Sequence, residues 1–465
     1  MQHYLGNKGY TIAKSDLTEE QYKQIKRDLM IKPHVAGAVQ VAEIAFPVYR
    51  ESANKIYVPH YYGVSHFGAP TSLRISDGQD ICCPFMGTLR EQQTNVVNTY
   101  LEHVKKTSIG GVCYGGGLLE LPCAFGKTVL ALNIISQLNK KTLIIVHKEF
   151  LMNQWIERIT QFLPSARVGK IQGPVIDIDD KDIVIGMLQS LSMKEYPASV
   201  FDSFGLTVID EVHHISSEVF SKSLFKLVTK YMLGLSATMN RKDGTTKVFK
   251  MFLGDVVFKG KRDEERNVVV RAIDYRVEDE EFNHVVTDFR GNTAYSTMIS
   301  KLCAYNRRSE FILKIMADMF IENPKQQMMV LAHNKCLLKY LHDAIAHRNF
   351  ATVGYYVGGM KEAALKLTET KQVVIATYSM AAEALDIKTL TTLIMATPKT
   401  DIEQSVGRIL RERHSSPIVV DIIDGHSIFQ NQWKKRQAFY KREKYTICRS
   451  SCQQEETKGI CLLKI

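Results

Sequence analysis

No stretch of the 465-residue chain approaches the ~18 consecutive apolar residues of a membrane-spanning helix, so no membrane partner is expected. The first residues, Met1-Gln2-His3-Tyr4-Leu5-Gly6, lack the basic-then-apolar pattern of a secretory signal. There is no Cys-x-x-Cys; the nine cysteines are scattered, with one adjacent pair at Cys82 and Cys83. This usage fits reduced thiols in an intracellular, reducing compartment and speaks against a disulfide framework. Cys448, Cys452 and Cys461 gather late in the chain, but their spacing is wrong for a standard zinc knuckle. No internal repeat or low-complexity segment interrupts the sequence.

What is present is ordinary globular material. Hydrophobic residues at 45% and charged residues at 23% supply more than one core. At roughly 150 residues per domain, the length allows two or three compact units. Lys and Arg exceed Asp and Glu by 60 to 49, a net charge of +11. Such a balance favours polyanionic partners through counterion release, although many basic proteins bind no nucleic acid.

Residues 1–88 read as an N-terminal accessory domain. A helix is expected over Leu17 to Met30, capped by Ser15 or Asp16 ahead of Glu19 and Glu20, with short strands over Val35 to Pro47 and Lys55 to Tyr61. No chemistry is legible there. From Thr88 the pattern becomes β-then-α. Apolar runs at Thr142–Val146, Asp182–Gly186, Leu206–Ile209 and Met232–Leu235 are each followed by a polar turn and a helical segment such as Phe150 to Phe162. Runs without polar alternation are what a parallel sheet covered on both faces requires. A second series follows the charged stretch 259–266, at Met328–Ala332, Thr352–Tyr356, Val373–Ala376, Thr392–Met395 and Pro417–Asp421. The expected fold is α/β: a first lobe over 89–262, a second lobe over 263–445, and a loosely held tail over 446–465.

Leu121-Pro122-Cys123-Ala124-Phe125-Gly126-Lys127-Thr128 precedes a helix predicted over Val129 to Leu138. Backbone N–H groups at such a helix start cradle phosphates; Lys127 would reach the β- and γ-phosphates and Thr128 would ligate Mg²⁺. The general pattern wants glycine at position 121, where Leu stands, and Gly115-Gly116-Gly117 upstream does not replace it. Leu206-Thr207-Val208-Ile209 ends in Asp210-Glu211. At the carboxyl end of a parallel strand Asp210 can hold Mg²⁺, and Glu211 can polarise the attacking water. An isolated Asp-Glu would read as a solvated turn; downstream of a phosphate loop in the same lobe it reads as a Mg-ATPase.

Asp210-Glu211-Val212-His213 with Ser236-Ala237-Thr238 resembles the DExH box and the motif that follows it in superfamily 2 helicases. The resemblance spans about Leu89 to Arg413. It is nearest the XPB-like branch and the helicases of poxviruses and other large DNA viruses, on Leu121-Pro122-Cys123, His147-Lys148-Glu149-Phe150 with Gln154-Trp155, and Gly234-Leu235-Ser236-Ala237-Thr238. It implies two tandem RecA-like lobes with ATP between them. Cys123 to Thr128 and Asp210 would hold the nucleotide and Mg²⁺. Gln93 would meet the adenine edge, and Asp386, in Thr377 to Asp386, the ribose. Gln404-Ser405-Val406-Gly407-Arg408-Ile409-Leu410-Arg411 matches QxxGRxxR, so Gln404, Arg408 and Arg411 would act on the γ-phosphate, the two arginines from one helix face. His213 would couple the ATP site to Gln404. Arg241-Lys242-Asp243 stands where the branch carries Arg-Glu-Asp, so that motif's role in melting does not transfer. His147, Lys148, Gln189 and Thr377 are implied contacts to the nucleic-acid backbone.

The implied activity is a DNA helicase or translocase moving 3′ to 5′, in a transcription or replication assembly; a viral source would place it in a host cytoplasmic factory or the virion. Two alternatives stay open: an RNA helicase or transcript-release translocase without strand separation, and a non-catalytic nucleic-acid-binding subunit, for which Ala124-Phe125 in the phosphate loop is the only support.

Overall fold

The computed structural model describes residues 3–33, 45–122, 125–215, 217–239, 244–260, 267–383, 387–410, 414–453 and 463–464, without the side chains of 214, 217, 382, 383, 463 and 464. The chain divides into two units, Met1–Lys261 and Arg262–Ile465.

In the first unit an eight-stranded sheet runs in the order Val175–Asp177, Val168–Gln172, Ile183–Met187, Thr142–Val146, Leu206–Ile209, Tyr231–Ser236, Gly115–Glu120, Val256–Lys259. Its pairs are parallel except for the hairpin at the Val175 edge. Every residue of Thr142–Val146, Leu206–Ile209 and Tyr231–Ser236 is buried. Period-two alternation sends Leu143 and Ile145 into one core and Ile144 and Val146 into the other, which is why these strands read as unbroken apolar runs.

The N-terminal residues build their own five-stranded sheet, ordered Arg50–Glu51, Lys55–Val58, Gly9–Ala13, Tyr4–Gly6, Ser72–Arg74. It is separate in pairing but continuous in core: Tyr10, Ile12, Ile56 and Val58 share one apolar cluster with Leu143, Ile209 and Phe249. The helix Glu19–Asp28 is capped by Thr18, whose Oγ1 accepts from Gln21 N at 3.2 Å while Gln21 Oε1 accepts from Thr18 N at 2.9 Å. Ser15 and Asp16, the expected caps, are taken up by a short 3₁₀ turn over Lys14–Asp16. Most of the strand expected at Val35 to Pro47 lies outside the described residues; Phe46–Pro47 pairs with Met30–Ile31. The expected strand Lys55 to Tyr61 stops at Val58, and a helix, His60–Phe67, follows Pro59. Gly63 lets this helix lie against the sheet, since a Cβ there would fall 2.2 Å from Tyr10 Cγ.

His60 on that helix is buried against Tyr61 and Tyr114, and its Nε2 has no hydrogen-bond partner. Burial pulls its pKa down to about 4. The unfolded chain, near the ordinary ~6.5, takes up the proton first as pH falls, so stability is full above that value and is lost down to about pH 4. Differential scanning calorimetry is expected to show unit 1 weakened by ~2 kcal/mol at about pH 5 through this group alone, a difference absent in His60→Phe.

The second unit carries an eight-stranded sheet in the order Val353–Tyr356, Val373–Thr377, Met328–Ala332, Thr392–Met395, Ile418–Asp424, Val269–Tyr275, Thr446–Ser451, Leu463–Lys464, parallel but for the last pair. Thr446–Ser451, expected in a loose tail, is thus a paired strand. Ile447, Cys448 and Ser450 are buried, and the sequence signal failed because the run carries only one strongly apolar residue. Two ion pairs fix helices to this sheet. Arg308 Nε and Nη2 meet Asp424 at 2.6 and 2.9 Å, and Arg436 grips Asp421 at 2.7 and 2.9 Å, with Tyr440 Oη donating to the same carboxylate at 2.9 Å. Both pairs are fully buried, where desolvation is offset only by bidentate geometry of this kind.

Candidate functional site

The strand Gly115–Glu120 feeds the phosphate loop. Its glycines let neighbours close in: a Cβ on Gly116 would lie 2.8 Å from the carbonyl oxygens of both Leu253 and Met232. Leu121, directly after the strand, is fully buried and its N–H donates to Ser236 O at 2.8 Å, so the position where glycine is expected still extends the hydrogen bonding of the sheet. The sharp turn comes at Gly126, with φ of 94°, where a Cβ would sit 2.6 Å from Gln93 Nε2. The helix Lys127–Leu138 starts immediately after, and Leu130 N–H donates to Gly126 O at 3.1 Å. The N–H groups of Lys127, Thr128 and Val129 belong to this first turn, the part of a helix from which an anion site draws its donors. Cys123 and Ala124 lie outside the described residues.

Arg90 and Gln93 brace the loop. Arg90 Nη2 and Gln93 Nε2 donate to Phe125 O at 2.6 and 2.8 Å, and Gln93 Oε1 accepts from Arg90 N at 2.9 Å. The structure thus brings Gln93 against the phosphate loop, with both ends of its amide engaged by protein.

Asp210 extends the pairing of Leu206–Ile209 by donating from its N–H to Ile145 O at 3.1 Å. Its side chain is buried, Oδ2 accepting from Trp155 Nε1 at 2.9 Å and Oδ1 from Glu211 N at 2.9 Å. Burial, then the neighbouring Glu211 charge, push its carboxyl up to about 6 against the pull of Lys127 and Trp155. Glu211 adopts a left-handed backbone, φ 48°, uncommon for a residue with a side chain. This turn points its carboxylate at Lys127, Oε1 to Nζ 2.8 Å, and at His213 Nδ1, 3.4 Å from Oε2. His213 Nδ1 lies 2.7 Å from Ser236 Oγ, which accepts from Thr238 N at 3.3 Å. A continuous polar chain thus runs from Lys127 through Glu211 and His213 to the Ser236-Ala237-Thr238 segment.

A divalent cation suits this place. Two carboxylates face one ammonium, and the Asp210 carboxyl is pushed towards protonation by burial and by Glu211's negative charge. Asp210 and the Thr128 hydroxyl are the hard oxygen donors Mg²⁺ prefers. Among the described residues no group of three or more His, Cys, Asp or Glu could hold a metal, so phosphate oxygens and water would complete the shell.

His147 and Lys148 follow Thr142–Val146, and Gln189 follows the adjacent strand Ile183–Met187, its Nε2 donating to His147 O at 2.9 Å. These three expected nucleic-acid residues converge at the carboxyl ends of neighbouring parallel strands, the usual position for ligands in such sheets. Arg241, Lys242 and Asp243 lie outside the described residues.

In the second unit Thr377 ends Val373–Thr377, its hydroxyl 3.3 Å from Ser379 Oγ. Gln404 is on the helix Glu403–Gly407, and Arg408 opens a 3₁₀ turn, Arg408–Leu410. The α-helix ends at Gly407 and the chain continues as this 3₁₀ turn, in which Ile409 and Leu410 are buried. Asp386 and Arg411 lie outside the described residues, as does Cys461; Cys448 and Cys452 are free thiols. Trp155 and Arg90, with no assigned role in the sequence, are the residues that orient Asp210 and the loop. The Gln154-Trp155 phrase was the available signal for the first.

Residues 86–241 match the family model of the type III restriction enzyme res subunit. A protein of Acanthamoeba polyphaga mimivirus, provisionally named an ATP-dependent RNA helicase, is 34% identical over 454 residues, covering 94% of this chain and 85% of that protein. A protein of African swine fever virus with the same provisional name is 30% identical over 379 residues, covering 75% of this chain and 74% of that one. Among solved structures, a fragment assigned as the HsdR subunit of a type I restriction enzyme from Vibrio vulnificus aligns with a TM-score of 0.54 at 16% identity, over 80% of this chain and 70% of that one, a likeness of fold. Among the described residues no helix is long and apolar enough to cross a membrane.

Proposed function

The chain belongs to the superfamily 2 ATP-dependent helicases, with relatives in large DNA viruses, and on that premise we propose that it couples Mg-ATP hydrolysis to movement along DNA and to its unwinding, 3′ to 5′. The observation that carries the reading is the Lys127–Glu211 ion pair at a helix N-terminus beside the buried Asp210. In this arrangement Lys127 is held by Glu211 until phosphates draw it away. That exchange would free the Glu211 carboxylate to take a proton from the water attacking the γ-phosphorus, as the bond to the bridging oxygen breaks and ADP leaves. Mg²⁺, held by Asp210 and Thr128, would supply charge neutralisation at the phosphates. Gln93 is assigned to the adenine and Asp386 to the ribose. Gln404, Arg408 and Arg411 of the second lobe would add the donors that stabilise the transition state. His147, Lys148, Gln189 and Thr377 would hold the nucleic-acid backbone, which gives sequence-independent grip. The working division is an accessory domain over 1–88 with lobes over 89–262 and 263–445.

RNA is the second reading, favoured by the RNA-helicase names of the mimivirus and African swine fever virus relatives. ATP turnover measured in parallel with single-stranded DNA, duplex DNA and RNA separates the two. Stimulation by DNA, with strand displacement from a 3′ overhang, is expected; stimulation by RNA alone would overturn the DNA assignment. Triplex displacement without strand separation would mark a translocase.

A further inference from the structure

The N-terminal sheet has one face in the core and a second that is half-exposed, with Thr11 buried among larger neighbours. Leu5, Tyr10, Ile12, Ile56 and Val58 point inward. The strand register aligns Tyr57, Thr11, Tyr4 and Ser72 in one row, and period two places that row on the opposite face. Cations gather at its two rings. Arg74 Cζ lies 4.1 Å and Lys55 Nζ 5.4 Å from the Tyr4 ring centre, and Lys8 Nζ lies 5.4 Å from that of Tyr57. Lys55 Nζ also donates to Tyr4 Oη at 3.2 Å. A groove of about 860 Å³ runs here, lined by Tyr4, Asp16, Lys55, Ser72 and Arg74 among others.

These cations differ from others on the same module. Lys14 and Lys26 are neutralised by Glu51 at 2.9 and 3.1 Å. Among the described residues Lys8, Lys55 and Arg74 form no ion pair with a carboxylate; they lie against tyrosine rings. A groove that pairs aromatic rings and a guanidinium plane with an excess of positive charge is complementary to a chain of phosphates carrying bases open for stacking. Duplex does not meet that description, because its bases are already stacked. Asp16 also lines the groove, its Oδ1 accepting from Ser15 Oγ at 3.4 Å.

We propose that the half-exposed face of the N-terminal sheet is a separate binding surface for single-stranded nucleic acid, with Tyr4 and Tyr57 taking bases and Lys8, Lys55 and Arg74 taking phosphates. The inference rests on the nucleic-acid reading above and assigns a role to residues for which the helicase motifs give none. The surface is mounted firmly: its reverse side shares a core with the first lobe, and Tyr61 Oη meets the N–H and carbonyl of Gly116, at the start of the strand that leads to the phosphate loop. A strand held here would be tied to the ATP-binding lobe through all stages of the cycle.

The test is fluorescence anisotropy of the full chain with labelled oligothymidylate and oligouridylate, without nucleotide, across a salt series. Lys55→Glu with Arg74→Glu is expected to weaken binding at least ~10-fold and to flatten the slope of log affinity against log salt by about one to two. Tyr4→Phe keeps the ring and is expected to stay within ~2-fold of wild type, whereas Tyr4→Leu should lose ~5-fold or more. Lys8→Glu, in an exposed turn, carries the same expected direction without touching the sheet, and melting curves verify that each variant folds. Loss with either oligonucleotide supports the surface. Charge-reversed variants that bind with wild-type affinity and salt slope would overturn it while leaving the motor reading intact. A wild type that binds neither oligonucleotide would overturn both.

Discussion

Alanine at Lys127 is expected to lower ATP turnover at least ~10³-fold and to remove nucleotide binding with it. The ammonium lies 2.8 Å from Glu211 Oε1, and it opposes the burial that pushes the Asp210 carboxyl up to about 6. Without it, two carboxylates face the incoming phosphates, so the first turn of the helix Lys127–Leu138 must bind an anion against two like charges. Backbone damage is not the cause to expect. Alanine is the best helix former, and the turn that opens the helix is made by Gly126. Phosphate release and binding of a fluorescent nucleotide analogue should therefore both fail while the melting temperature stays close to wild type. Near-normal turnover would mean that the helix dipole and N–H groups suffice to bind the phosphates.

Glutamine at Glu211 should separate the two functions that Lys127→Ala loses together. The amide keeps the size of the side chain but cannot take a proton from water, so turnover is expected to fall ~10²–10⁴-fold. Nucleotide binding should be retained or tightened, because Lys127 no longer leaves a charged partner at 2.8 Å to reach phosphate. The left-handed backbone at position 211 is no more strained with Gln than with Glu, so the turn should persist. Binding measured by anisotropy alongside single-turnover hydrolysis gives both quantities. Loss of binding together with turnover would assign Glu211 a positioning part, and unchanged turnover would remove it from the chemistry.

The parts of this fold that the sequence disclosed are those where one strong physical demand acts alone. Leu206–Ile209 and Thr142–Val146 must be apolar on both faces, so they stand out as runs. Lys127, Asp210 and Glu211 stand out in the sequence by type and order, because phosphate and metal chemistry tolerates few substitutes, and the fold brings these three together. What escaped notice depended on contacts distant in sequence. Trp155 looks like any aromatic on an amphipathic helix until the fold sets its indole N–H on Asp210. The helix His60–Phe67 was hidden because its Gly63 weakens helix propensity locally and serves the approach to Tyr10. Thr446–Ser451 is a strand through its parallel pairing with Val269–Tyr275, a partner some 180 residues earlier that supplies what its own composition lacks. Leu121 stands where a phosphate loop usually carries glycine, and it is fully buried and hydrogen-bonded to the neighbouring strand.

Steady-state ATP turnover of wild type and Lys127→Ala, each with and without single-stranded nucleic acid, tests most directly whether this ATP site drives a nucleic-acid motor. A wild-type rate that rises several-fold with the strand, and a variant near background in both conditions, is the predicted result. Equal rates for the two proteins, or a wild-type rate indifferent to every nucleic acid tried, would contradict the claim that this ATP site drives a nucleic-acid motor.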